Sequence, residues 1–203
     1  MINYLTPKKL AELNEFASKH LSSGRYYHSQ CVQRQAEKIA VRTGADIRKA
    51  AVAGLLHDIC KEMPKDEQLQ YMCAHDILLS NEILQNPGIW HGFVASFWIK
   101  ENLNIYDDEI SSAIYYHSTG KPNMSPLEKT IFLADLTSID RDFKDAKDLR
   151  NTLDTGINPT LAYCLNFKLE HSRKNGKQPL DDSLMAYKYY SEVNKNLKQE
   201  DST

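Results

Sequence analysis

The chain has 203 residues, with 25 Lys and Arg against 27 Asp and Glu and a formal net charge of −2. That balance gives no general basic footprint for nucleic acid, and no apolar run approaches the ~20 residues of a membrane span. The amino-terminal stretch MINYLTPKKLAEL lacks the apolar core of a signal peptide, so the cytoplasm is the expected compartment. Cys31, Cys60, Cys73 and Cys164 form no Cys-x-x-Cys pair and read as reduced packing thiols.

Thr6-Pro7 is an N-cap followed by proline at the first helical position, and Leu10, Leu13, Phe16 and Ala17 carry helical spacing to about His20. Ser22-Ser23-Gly24 breaks that helix. A second helix is predicted from about Tyr27 to Arg42, closed by Gly44. His28 shares its inward stripe with Cys31, Val32, Gln35 and Ile39. Asp46 caps a third helix, AVAGLLHDICK at its centre, which Pro64 ends. Lys65–His75 and Ser80–Gln85 read as short helices, and Asn86-Pro87-Gly88 turns the chain into another from about Ile89 to Asn102. There His91 aligns with Val94, Ala95 and Trp98.

Asp107 or Asp108 then caps Glu109–His117, with His117 on the face of Ile110, Ala113 and Ile114 and Gly120 as the stop. Ser125-Pro126-Leu127-Glu128 fits a capping box, and its helix places Asp135 beside Ile131 and Phe132. Helices are predicted over Lys144–Leu153, from an Asn158-Pro159 cap to Lys174, and over Leu180–Leu197. The tail KQEDST is expected to fray. No segment alternates with period two over strand length, so the expected fold is an all-α bundle. It reads as a single domain over 1–203, with a core at about 25–143 and C-terminal helices at about 144–197 packed on it.

The informative feature is the polar residues that fall on apolar faces: His28, His57, Asp58, His91, His117 and Asp135, drawn from five helices. Ala51, Val52, Ala53, Leu55 and Leu56 precede His57-Asp58, and an ionised Asp58 left unpaired in such a core would cost several kcal/mol. Taken singly, each histidine fits a hydrogen-bonded core residue. Four of them with two aspartates are hard to satisfy separately. Imidazoles with carboxylates suit Fe, Mn, Co, Ni or Zn better than Ca or Mg. Six ligands exceed the need of one catalytic ion. They divide as His28, His57 and Asp135 on one metal and His91 and His117 on a second, with Asp58 bridging. His20, His75 and His171 sit near helix ends or in polar surroundings and read as ordinary.

Two metals lower the pKa of water to give a bridging hydroxide, and a pair ~3.5–4 Å apart clamps the oxygens of a phosphoryl group. Phosphoester or phosphoanhydride hydrolysis is therefore the expected chemistry. The candidate catalytic set is Asp58 with Lys61, Arg25 and Arg141, whose cations would neutralise phosphate oxygens. Candidate substrate contacts are Lys61, Arg141 and the Ser118-Thr119-Gly120 turn after His117, with Lys121 and Lys129 as weaker candidates. Tyr26, Tyr27, Trp90, Tyr115, Tyr116 and Phe143 lie near the ligands in sequence and can stack on a base, although such aromatics more often pack the core.

The ordered set His28, His57-Asp58, His91, His117, Asp135 resembles the HD-domain phosphohydrolase superfamily. The stretches RYYHSQCVQRQAEKIA, AVAGLLHDICKEMP, NPGIWHGFVAS, AIYYHSTGKPNMSPLEKTIFLAD and DRDF resemble its bacterial YqeK group. The resemblance implies a diiron-type hydrolase that splits diadenosine tetraphosphate symmetrically into two ADP. It also implies the six ligands, with Lys61 and Arg141 as phosphate contacts. The implied partner is a nucleotide, with no nucleic acid or membrane, and a homodimer is the favoured assembly. The alternatives are an HD phosphohydrolase acting on another nucleotide, or a non-catalytic nucleotide sensor. The sequence departs from the group after Ala134-Asp135. Leu136-Thr137-Ser138-Ile139-Asp140-Arg141 stands where an Ile-Glu-Pro segment and an arginine are usual, leaving Asp140 to supply the carboxylate.

Overall fold

A computed structural model describes residues 5–77 and 80–200, without the side chains of residues 198 and 200. Every regular element among them is helical, as expected: α1 Pro7–His20, α2 Ser23–Thr43, α3 Ile47–Leu56, α4 Lys65–Ala74, α5 Asn81–Leu84, α6 Trp90–Leu103, α7 Asp108–Tyr116, α8 Pro126–Thr137, α9 Ala146–Thr152, α10 Ile157–Lys174 and α11 Asp181–Glu200. Among these residues no helix is long and apolar enough to cross a membrane. The last part of the expected frayed tail, residues 201–203, lies outside the described residues.

Local chemistry sets the helix ends. Thr6 caps α1 by accepting from the Lys9 N–H, and Asp46 caps α3 by accepting from Arg48 and Lys49. Asp107, not Asp108, caps α7, and the Ser125–Glu128 capping box opens α8. α9 starts two residues late, at Ala146, and α11 runs on to Glu200, into the tail expected to fray; three further boundaries differ from the sequence reading for a visible reason. First, α2 begins at Ser23. Ser22 is its N-cap and is itself pinned by Glu62, whose carboxylate accepts from the Ser22 N–H at 2.8 Å and hydroxyl at 2.5 Å. Second, α10 begins at Ile157 with Gly156 at its N-cap, so Asn158-Pro159 falls inside the first turn, where proline needs no donor. Third, α3 stops at Leu56 rather than running to Pro64. The His57 Nδ1–H donates to the Gly54 carbonyl at 2.8 Å, competing for the acceptor that a continuing helix would give to the Asp58 N–H. The chain goes on in tight turns, Lys61 N–H to Asp58 O and Met63 N–H to Cys60 O.

α2 packs along α3 and α8, α7 lies against α3, α6 and α8, and α10 pairs with α11 while resting on α8 and α9. One buried apolar cluster draws residues from Leu13 of α1 through Val52 and Leu56 of α3, Val94 of α6, Ile131 and Phe132 of α8 and Leu165 of α10 to Tyr190 of α11. Gly54 lets α2 and α3 approach: a Cβ there would lie 3.0 Å from the Gln33 Cα. α11 clamps the α7–α8 connection, because the Ser183 hydroxyl donates to the Thr119 carbonyl at 2.7 Å and the Tyr190 hydroxyl accepts from the Met124 N–H at 2.8 Å. Cys31, Cys60 and Cys164 are buried free thiols and Cys73 is an exposed one.

Glu128 ties α7 to α8. Burial alone would raise its carboxyl, but donors from Ser112, the Ser125 N–H and Lys121 hold it below the ordinary 4.5. A group depressed in the folded state stabilises fully above its unfolded value and loses that contribution as pH falls through the folded one. Wild-type stability should therefore decline more steeply below about pH 4.5 than that of Glu128→Gln, with the variant about 1–2 kcal/mol less stable near neutrality. Urea unfolding at a series of pH values measures both.

Candidate metal centre

The helices aim all six sequence-predicted ligands at one point. His28 comes from the second turn of α2, His91 from the first turn of α6 and Asp135 from the last turn of α8. His57 and His117 are the C-cap residues of α3 and α7. The two C-cap imidazoles are held alike: His117 Nδ1–H donates to the Ile114 carbonyl at 2.6 Å, as His57 does to Gly54. Each is thereby fixed in the tautomer whose Nε2 lone pair faces inward, at the negative end of a helix, where a cation is favoured. His57 and His91 have no exposed surface, and His28, Asp58, His117 and Asp135 are also buried.

The six residues form three overlapping triads: His28–His57–Asp58, His57–His117–Asp135 and Asp58–His91–His117. The carboxylate of Asp58 is divided between two pairs of imidazoles. Its Oδ2 lies 3.8 Å from His28 Nε2 and 3.5 Å from His57 Nε2, and its Oδ1 lies 3.0 Å from His91 Nε2 and 3.7 Å from His117 Nε2. Asp135 Oδ1 stands 3.1 Å from His28 Nε2 and 3.7 Å from His57 Nε2. The fit to a divalent ion has a direct sign, since the buried His57 Nε2 has no hydrogen-bond partner among the described residues. An inward lone pair with no donor, beside two carboxylates, is the donor set of a borderline transition metal.

Electrostatics agree. Burial lowers His57, His91 and His117 against the pull of Asp58, which favours their neutral forms. Burial would raise both aspartates, but His57, His91 and Lys61 outweigh it at Asp58, and His28 and Arg141 outweigh it at Asp135. Both carboxyls lie well below their usual range. His28 is the exception among the imidazoles: burial is overcome by Asp135 and Asp140, and its pKa rises.

All three expected cations reach the centre. Arg25 Nη1 donates to Asp58 Oδ2 at 2.7 Å, and Arg141 pairs with Asp135 Oδ1 while its Nε donates to the Asp135 carbonyl at 2.8 Å. Lys61 Nζ lies 4.0 Å from Asp58 Oδ1 and 3.2 Å from His91 Nε2. Of the Ser118-Thr119-Gly120 turn, Ser118 lies closest, with its hydroxyl 3.0 Å from His117 Nε2. The buried Thr119 hydroxyl has no partner, and Gly120, at φ +67°, packs against Leu165 and Phe132. Lys121 is spent on Glu128 at 3.0 Å, and Lys129 lies over the Tyr190 ring, in a different cleft.

Asp140 is the carboxylate of the departing segment, and its role becomes visible here. Its Oδ2 accepts from His28 Nδ1–H at 2.6 Å, while Arg150 holds the loop by donating to the carbonyls of Ser138 at 3.2 Å and Arg141 at 2.9 Å. A carboxylate behind a ligating imidazole orients it and raises its basicity. Asp140→Asn should weaken metal binding by roughly 10- to 100-fold, read by competition with a chelator, with little change in helical content. An unchanged affinity would reduce Asp140 to a loop contact.

Sequence reasoning missed Lys168. It sits on the inward stripe of α10, at helical spacing from Leu161, Cys164 and Leu165, and that position was the available signal. Its ammonium is disfavoured by burial and by Lys61 and Arg141, with Asp135 pulling the other way. A cavity of about 770 Å³ joins it to the centre, and its lining includes Ser118, Asp135 and Arg141 together with Phe143, Phe167 and His171.

The HD domain family profile matches residues 25–140, a span that holds His28, His57, Asp58, His91, His117 and Asp135. The chain belongs to the HD-domain family. Over a longer stretch, this HD protein is 30% identical across 171 residues to a symmetrical bis(5'-nucleosyl)-tetraphosphatase of Bacillus subtilis, an alignment covering 84% of this chain and 91% of the relative. It is 33% identical over 143 residues to a protein of the same description from Staphylococcus aureus, covering 70% and 73%. A crystal structure described as a predicted HD superfamily hydrolase involved in NAD metabolism, from Clostridium acetobutylicum, superposes with a TM-score of 0.85. That chain is 28% identical, and the match covers 90% of this chain and 97% of that one.

Proposed function

We propose that this HD protein is a dinucleoside polyphosphate hydrolase that cleaves diadenosine tetraphosphate symmetrically to two ADP. Two divalent ions would be held by His28, His57 and Asp135 on one side and by His91 and His117 on the other, with Asp58 between them. Iron is the first candidate, and Mn, Co, Ni and Zn also suit the donors. The observation that carries the reading is the division of the Asp58 carboxylate between the two imidazole pairs. The descriptions of the relatives supply the substrate.

When bound, such a pair of ions supplies a nucleophile from water at neutral pH and offsets phosphate charge. The chain's own residues do the rest. Arg25, Lys61 and Arg141 surround the centre and would neutralise the charge of the bridging phosphate oxygens. Arg141 has planar donors for two oxygens at once, whereas Lys61 acts as a point charge. The Ser118 hydroxyl, beside His117, is placed to donate to a phosphate oxygen. The reaction adds water across the central P–O–P bond and releases two ADP. We read residues 1–203 as one HD-type domain, with its core at about 25–143 and the helices of about 144–197 packed on it. The cytoplasm is its expected compartment and a homodimer its expected assembly.

The test is product analysis with anaerobically purified protein loaded with Fe(II) or Mn(II) and given diadenosine tetraphosphate. ADP as sole product supports the reading. AMP with ATP would keep the hydrolase and reverse its regiochemistry. Absence of turnover with metal bound would overturn the substrate assignment.

A further inference from the structure

The cavity beside the metal centre has a wall from outside the span matched to the HD domain. That wall is α10 with the segments on either side of it. At 770 Å³ it falls within the size range of small-molecule sites. Its lining is cationic in balance, with Arg141 and Lys168 beside the metal centre. Lys144 and Lys177 lie further along the lining, against the carboxylates of Asp135 and Asp145. Asp135 and Arg141 pair with each other, which leaves Lys144, Lys168 and Lys177 against Asp145 alone.

The same lining carries three aromatic rings arranged in series. Phe143 and Phe167 stack at 5.5 Å between centroids and 15° between planes, and Phe167 and His171 at 6.2 Å and 27°. Phe143 and Phe167 are half-buried and His171 is exposed, so this ladder has an open end on the cavity rather than closing into the core. Phe167 and Lys168 are consecutive, and His171 follows Phe167 by one helical turn. The same turns of α10 therefore present both a cation and stacked rings to the cavity.

We infer that α10 binds one nucleoside phosphate half of the substrate: Lys168 as a phosphate-binding residue, and His171 with Phe167 and Phe143 as the stacking platform for its base. The inference rests on the proposed function and adds the residues that choose a nucleotide over bare polyphosphate. Stacking on an aromatic face tolerates any base, so the platform selects for the presence of a base rather than its identity.

The experiment compares wild type with His171→Ala, Phe167→Leu, Lys168→Met and Lys168→Arg, all metal-loaded. Binding of ADP and of inorganic pyrophosphate is measured by calorimetry, and KM and kcat with diadenosine tetraphosphate. His171→Ala removes an exposed ring and leaves the fold intact. It should weaken ADP binding and raise KM by roughly five- to a hundredfold while pyrophosphate binding is unmoved. Lys168→Met should weaken both ligands, and Lys168→Arg should restore them. Unchanged ADP affinity in both His171→Ala and Phe167→Leu overturns the platform, and unchanged pyrophosphate affinity in Lys168→Met overturns the phosphate contact. If wild type does not cleave the dinucleotide, the proposed function fails by itself. The ADP and pyrophosphate affinities still decide the α10 site.

Discussion

Asp58→Ala is expected to keep its helices, fail to retain metal and lose turnover of diadenosine tetraphosphate by on the order of 10³-fold or more, several kcal/mol of transition-state stabilisation. The two oxygens of Asp58 are divided between the two imidazole pairs, so its removal would take a proposed ligand from each side at once. The fold should tolerate the change. Arg25, its direct partner, has a side chain 28% exposed and can turn to water, and Lys61 is similarly placed at 32%. Three readouts separate loss of the centre from loss of the fold: far-UV circular dichroism, metal content after gel filtration, and the rise in melting temperature on adding metal. Wild type should be stabilised by metal through mass action, and the variant should not. Full activity in Asp58→Ala would sink the proposed mechanism.

Gly92→Ala should be nearly as damaging, although glycine contributes no ligand. A Cβ at Gly92 would lie 2.9 Å from His117 Cε1, 3.1 Å from its Nδ1 and 3.2 Å from the Ile114 carbonyl that holds that ring. The neighbours are a buried imidazole and a backbone oxygen, neither free to withdraw. The ring must tilt, and its lone pair leaves the point shared with Asp58 and His91. We expect a stability loss of about 1–3 kcal/mol in metal-free protein and weaker metal binding by roughly 10- to 100-fold, as when an orienting contact is lost. Gly24→Ala is the control. Nothing lies within 4 Å of a Cβ there, and alanine favours the helix by up to about 1 kcal/mol. Denaturant unfolding and chelator competition on the two variants decide it. If Gly92→Ala matched Gly24→Ala in both, the close approach of α6 to His117 would not matter.

The sequence by itself determined the helical class, most helix caps and the six convergent polar residues. Each of these is a local property. Caps are decided within four residues, and a histidine or aspartate on an apolar stripe announces itself by period alone, as His28 and Asp135 do. Arg25, Lys61 and Arg141 were legible for a similar reason, being a few residues from a ligand in the chain. Only the tertiary structure decided which oxygen of Asp58 faces which imidazoles, because that depends on α2, α3, α6 and α7 meeting at set angles. It alone placed Asp140 behind His28, 112 positions away in sequence. It also ended α3 at Leu56, where an imidazole bond to Gly54 competes with the helix. Lys168, Phe167 and His171 were the least legible. A lysine on an amphipathic helix reads as a stem lying over the core with its head in water. What makes α10 a cavity wall is its packing over α8 and α9, a long-range contact that no local periodicity records.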